Sequence, residues 1–166
     1  EEVFDEKRNK FFRFGECERF LFLNDKNEMV GKIALFINKK YKQKQPTGGF
    51  GFFDCIHHQE TANFIFDFSR DFLQNKGMEA MDGPINFGER DKFWGLLIDG
   101  FSEPLYAMNY NPPYYKELFE NYGFQIYFNQ LCFSRKIHSP VAENFLEMHA
   151  RISKNENISA KRMKVK

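Results

Sequence analysis

The sequence predicts an α/β (α+β) domain whose mixed, mostly antiparallel sheet is flanked by helices. Three observations carry this. Short apolar runs separated by turn residues fill the first 56 positions. A helix-period segment then follows at 59–76, and the order strand, helix, strand after it describes a crossover unit. Three strands linked by hairpins and feeding such a crossover make a mixed sheet.

Residues 17–24 alternate, with Glu18, Phe20 and Phe22 on one side and Arg19, Leu21 and Leu23 on the other. Asn24-Asp25-Lys26-Asn27 is turn chemistry, and residues 29–38 form the returning strand of a hairpin. A loop over 39–49 leads to a third strand at 50–56. Ala62, Ile65, Phe66, Phe68, Ser69, Phe72 and Leu73 recur at helical spacing, and Gly77 is the stop signal. Residues 78–81 read as a short strand ending at Asp82-Gly83-Pro84. The irregular stretch 85–111 is longer than compact domains usually tolerate without a functional reason. Pro112 and Pro113 suit the first turn of a helix that runs through Tyr115, Leu118 and Phe119 to Gly123. Residues 124–137 predict a long aromatic strand, and Ser139-Pro140 opens a last helix over 141–153.

The 166 residues are about one domain's worth. Expected domains are residues 1–138 and a C-terminal helix with a basic tail over 139–166, read as the start of a linker. The chain begins at Glu1 and ends in a basic run, so it reads as a piece of something longer. Lys+Arg 24 against Asp+Glu 23 leaves a net charge of +1, which gives no electrostatic reason to expect nucleic acid or an anionic membrane as partner. No apolar stretch approaches the roughly 18 residues that span a bilayer. Three dispersed cysteines, Cys17, Cys55 and Cys132, make no disulfide framework, so a reducing cytoplasm is the expected compartment. Cys17 and Cys132 lie in apolar strand patterns and read as small core residues. With 22 phenylalanines, the core must be built largely of phenyl rings.

The segment 28–133 resembles the GNAT superfamily of N-acetyltransferases, in a bacterial branch. The signature is Leu118-Phe119-Glu120-Asn121-Tyr122-Gly123-Phe124, similar to the helix-then-Gly-Phe junction before that family's penultimate strand. Gly31-Lys32-Ile33-Ala34, Gly83-Pro84-Ile85-Asn86, Gly95-Leu96-Leu97-Ile98-Asp99-Gly100-Phe101 and Asn111-Pro112-Pro113-Tyr114-Tyr115 add to the likeness. The resemblance implies acyl transfer, with acetyl-coenzyme A or another acyl-coenzyme A wedged between two splayed parallel strands. The amine acceptor would be a small molecule or a peptide, and a second GNAT-like domain of the same full-length chain is an implied partner. Asp54, Cys55, Ile56, His57, His58, Gln59 and Thr61 would then hold the cofactor, because strand backbone and a helix N-terminus offer free N–H groups to thioester and diphosphate.

Two departures from the family pattern stand out. Residues 56–61 contain no glycine, and Glu60 places negative charge where a diphosphate would sit. Phe119 occupies the position of the usual proton-donating tyrosine, with Tyr114, Tyr115 and Tyr122 as nearby substitutes. Both departures favour an alternative, a GNAT-fold module that has lost catalysis and serves in binding or packing.

Glu89 and Tyr115 are the candidate base and acid, and Asn86, Arg90, Asp91, Tyr110, Asn111 and Tyr114 the candidate acceptor contacts. The plainer reading of Gly88-Glu89-Arg90-Asp91 is a solvated loop held by its own ion pairs. For Tyr106, Tyr110, Tyr114 and Tyr115 it is a rigid Pro-Pro turn covering a core edge. Cys55, His57 and His58 invite a zinc reading, but no second ligand pair has the spacing, so no metal is expected. Lys39, Lys40, Lys42 and Lys44 would either steer phosphates or stay solvated. Finally, Gly49-Phe50-Gly51-Phe52-Phe53-Asp54-Cys55 is close to the central strand of RNA-recognition motifs. Gly48 stands in place of the leading cation, and no helix separates the first two strands.

Overall fold

The computed structural model describes residues 2–41, 43–89, 92–159 and 161. Their contacts divide the chain into two compact units, Glu1–Gln125 and Ile126–Lys166.

The first unit is a four-stranded sheet in the order β1 (Gly15–Leu23), β2 (Met29–Asn38), β3 (Thr47–Cys55), β4 (Ala80–Asp82). The first two pairings are antiparallel and the β3–β4 pairing is parallel. This is the mixed, mostly antiparallel sheet expected. The hairpin between β1 and β2 closes because the Asn24 side-chain oxygen accepts from the amides of Lys26 and Glu28, while Asn27 takes a left-handed φ of 61°.

Helix α1 (Gln59–Asn75) buries Ala62, Ile65, Phe66, Ser69 and Leu73, the stripe its spacing predicts. It ends where Gly77 adopts φ 82° and the amide of Met78 returns to the Leu73 carbonyl. Helix α2 (Tyr115–Tyr122) ends the same way at Gly123, with the Phe124 amide on the Phe119 carbonyl. Both helices bury rings into one cluster. Phe66 stacks on Phe53 at 5.0 Å and meets Phe119 edge-on at 4.9 Å, with Phe50 and Phe124 alongside. Such pairs add about 0.5–1.5 kcal/mol beyond their burial.

Strand β3 carries two features that shape the site. Between the Lys32–Asp54 and Ala34–Gly51 pairs it has two residues where β2 has one, and Phe52 in this bulge has φ 52°. Gly51 has no side chain because the chain after β4 crosses it. A Cβ there would overlap the Ile85 carbonyl, and the Ile85 amide bonds the Phe50 carbonyl at 2.8 Å. Gly48 faces Leu73 of α1, whereas Gly49 faces Phe36 on the opposite face of the sheet. That second face is covered by two 3-10 turns, Glu2–Phe4 and Lys10–Arg13, and by Phe87, which meets Phe12 edge-on at 4.9 Å.

Among the described residues, the stretch from 85 to 111 has no helix or strand, as expected. Asparagines knit it. Asn111 accepts from the Leu97 amide at 2.8 Å and donates to its carbonyl at 3.1 Å, while Asn109 donates to the Gly95 carbonyl.

In the second unit, α3 (Glu143–Ser153) is exposed throughout. The strand expected over 124–137 does not form. A strand requires a neighbouring ladder, and residues 126–138 are exposed, with Phe133 at 88% and Ile137 at 95%. Cys132 is correspondingly exposed rather than a core residue. Among the described residues, no helix is long and apolar enough to cross a membrane.

Candidate functional site

Strands β3 and β4 pair over three positions, Thr47–Ala80, Gly48–Met81 and Gly49–Asp82. One more bond follows, from the Ile85 amide to the Phe50 carbonyl at 2.8 Å where the segment after β4 crosses Gly51, and beyond it the two part as β3 continues through its bulge to Cys55. A cavity of about 320 Å³ opens there, with Phe52, Asp54, Pro84, Tyr110, Asn111 and Tyr115 in its walls. That volume is at the small end of ordinary ligand sites.

Tyr115 is 4% exposed because α2 begins at it and packs its ring edge-on to Phe53. Its hydroxyl accepts from the Cys55 amide at 3.0 Å and donates to Asp54 at 3.1 Å. The other Asp54 oxygen meets the Lys32 ammonium at 2.6 Å. Tyr114 donates to the Cys55 carbonyl at 2.8 Å, and its ring stacks on His57 at 4.3 Å. Both peptide groups of Cys55 are therefore held by tyrosine hydroxyls.

Burial raises the Tyr115 pKa above the ordinary phenol value, with the neighbouring Asp54 adding to the effect, so the hydroxyl keeps its proton at neutral pH. Tyr114 shifts the same way, chiefly through burial. Burial also pushes the Cys55 thiol up to about 11, which removes it as a thiolate nucleophile near neutrality.

The remaining cofactor candidates lie at the start of α1. Ile56 donates to the Val30 carbonyl at 3.0 Å. His58 is the N-cap, its Nδ1 accepting from the Thr61 amide and lying 3.0 Å from the Thr61 hydroxyl. Gln59 donates to Asn63 and to the Leu118 carbonyl and accepts from Asn121, so it fastens α1 to α2. Phe119 lies in the core, and Tyr122 donates to Asp67 on α1, away from the parting. Among the described residues, no three His, Cys, Asp or Glu side chains gather as a metal site would require.

A second cavity, about 260 Å³, lies over Gly49 on the face of the sheet that receives Phe36 and Phe87. Asn86 and Glu89 line this one, not the parting. The structure thus brings Asp54, Tyr110, Asn111 and Tyr115 together and separates Asn86 and Glu89 from them, with Ile85 in the walls of both cavities. Arg90 and Asp91 lie outside the described residues. Two residues escaped the sequence reading as members of a site. Lys32 is the partner of Asp54, and Asp82 lines the second cavity, where Trp94 joins Asn86 and Glu89 as the sequence placed it. The only local signal for Asp82 was its place before Gly-Pro, which reads as a turn.

No protein-family model, curated protein or solved structure matches the chain. What fold and cavities define is an α+β domain with an aromatic core and a parted pair of parallel strands.

Proposed function

We propose that the chain is a GNAT-like N-acyltransferase, moving an acyl group, acetyl in the simplest case, from a coenzyme A thioester to an amine. The observation that supports this best is the parting of β3 from β4 at a bulge, beside a cavity walled by a protonated tyrosine. The pantetheine arm would lie in the parting, and the start of α1 would face the diphosphate. The amine nitrogen attacks the thioester carbonyl carbon, and collapse of the tetrahedral intermediate breaks the C–S bond. Tyr115, protonated at neutral pH, delivers its proton to the departing thiolate. The carboxylate placed to receive the amine proton is Asp54, 3.1 Å from that hydroxyl, rather than Glu89 in the other cavity. Direct attack needs no covalent enzyme intermediate, in keeping with the un-ionised Cys55.

One observation favours a second reading, a GNAT-fold module without catalysis. The two tyrosine hydroxyls already occupy the Cys55 peptide groups that a thioester would use. Loss of thioester absorbance from acetyl-coenzyme A, followed with a panel of primary amines, separates the two. Transferase activity predicts turnover that Tyr115→Phe cuts by about 10²–10⁴-fold. No turnover with bound coenzyme A supports the module, and turnover unchanged in Tyr115→Phe removes that residue from the mechanism.

A further inference from the structure

The walls of the cavity at the parting narrow what a thioester bound there would carry. Resting on the acyl-transfer reading, we propose that the acyl group is an arylacyl group such as phenylacetyl rather than acetyl. On that reading the thioester carbon sits beside Tyr115, and the cavity that Tyr115 walls receives the acyl chain. The polar groups of those walls are already bonded to one another. Asp54 is the one charged residue in the described lining, and it is met by the Lys32 ammonium at 2.6 Å and the Tyr115 hydroxyl at 3.1 Å. Asn111 holds both peptide groups of Leu97, and Asn109 donates to the Gly95 carbonyl. A polar acyl group entering here would give up its water to compete with bonds already made.

What the walls offer instead is apolar and aromatic surface, from Phe52, Phe53, Pro84, Phe93, Leu96 and Tyr110. An acetyl methyl group would leave most of the 320 Å³ empty, and unfilled apolar space forfeits its contacts. A ring fills such a space and meets the phenyl groups through the pairing that aromatic faces and edges favour. Two of these rings are held at a conformational cost. Phe52 has φ 52° and Phe93 φ 49°, a left-handed backbone that bulky residues rarely adopt, and their centroids lie 6.4 Å apart. The Phe93 amide bonds the Ala107 carbonyl at 2.9 Å, and the Gly95 amide reaches the Pro84 carbonyl at 2.8 Å across the cavity. The aromatic wall is therefore anchored before any ligand arrives, which lowers the ordering cost of binding.

Calorimetric titration with coenzyme A and with its acetyl, succinyl, hexanoyl and phenylacetyl thioesters tests this without turnover. Phenylacetyl-coenzyme A is expected to bind about tenfold or more tighter than acetyl-coenzyme A, a gain of about 1.4 kcal/mol. Hexanoyl, apolar but without a ring, should fall between them, and charged succinyl should bind no tighter than acetyl. In Phe93→Ala, a truncation at an exposed position, the preference for phenylacetyl over acetyl should shrink to about threefold or less. The wild-type series decides by itself if that variant does not fold. Equal affinities across the thioesters, succinyl binding as tightly as phenylacetyl, or a preference unchanged in folded Phe93→Ala overturns the arylacyl assignment and leaves acyl transfer standing. Failure of coenzyme A and every thioester to bind overturns both.

Discussion

Phe66 and Phe133 are the same residue in opposite circumstances. The first is fully buried among Phe50, Phe53 and Phe119, and the second is 88% exposed. The contrast extends to the units that hold them. In residues 2–125 alternating and helical apolar patterns meet each other, so strand faces strand and helix stripe faces sheet. In residues 126–159 the apolar side chains are as large, yet α3 and the segment before it leave them exposed. The difference teaches that an apolar pattern specifies a face, and that a second face must be present before the pattern becomes a core.

The largest expected effect comes from breaking this contrast with matched truncations. Phe66→Ala should destabilise by about 3–5 kcal/mol, whereas Phe133→Ala should change stability by no more than about 0.5 kcal/mol. Urea unfolding midpoints check both, and comparable losses would place Phe133 in a core that the structure does not show. Next comes Gly51→Ala, which forces a methyl group against the Ile85 carbonyl and should cost about 1–3 kcal/mol. Its measurement is the same midpoint, and a neutral result would mean that the crossing chain yields easily.

A smaller effect lies in the thiols. Cys132, exposed, should react with a coloured disulfide reagent well ahead of buried Cys55 and half-buried Cys17. Burial pushes the Cys17 thiol up to about 12 from an ordinary 9.0. A raised folded-state value means that the thiol's contribution is intact below pH 9 and is lost as pH rises towards 12, because only the unfolded chain then releases the proton. Cys17→Ala should therefore flatten the fall of stability with pH across that window. An unchanged slope would remove burial at Cys17 as its cause.

Much of the sheet was legible because its signals are local. Asn24–Asn27 turn chemistry, the Phe20 and Phe22 alternation, the Ala62-to-Leu73 stripe and the glycine stops at 77 and 123 each act within a few residues. What was illegible depends on distant partners. The bulge at Phe52 is set by register with β2, and the ring of Phe52 rests on Phe4, some 48 positions earlier. The 3-10 turns that cover the second face carry no periodic pattern long enough to read. The strand pattern over 124–137 failed for the opposite reason, a strong local signal with no ladder to join. The candidate site divided because Ile85 crosses Gly51, and three glycines in one strand, at 48, 49 and 51, do not say which of them another backbone will cross. Tyr115 was singled out from the sequence as a proton donor, but its bond to Asp54 spans 61 positions and had no signal there.

The central claim is that the parting of β3 and β4 receives a coenzyme A thioester. Thermal unfolding with and without coenzyme A tests it, in the wild type and in Leu96→Trp, which fills the cavity at the parting. At about 100 times its dissociation constant the ligand should add about 2.7 kcal/mol to the wild type and nothing to the variant. No stabilisation of the wild type, or equal stabilisation of both proteins, would contradict the account.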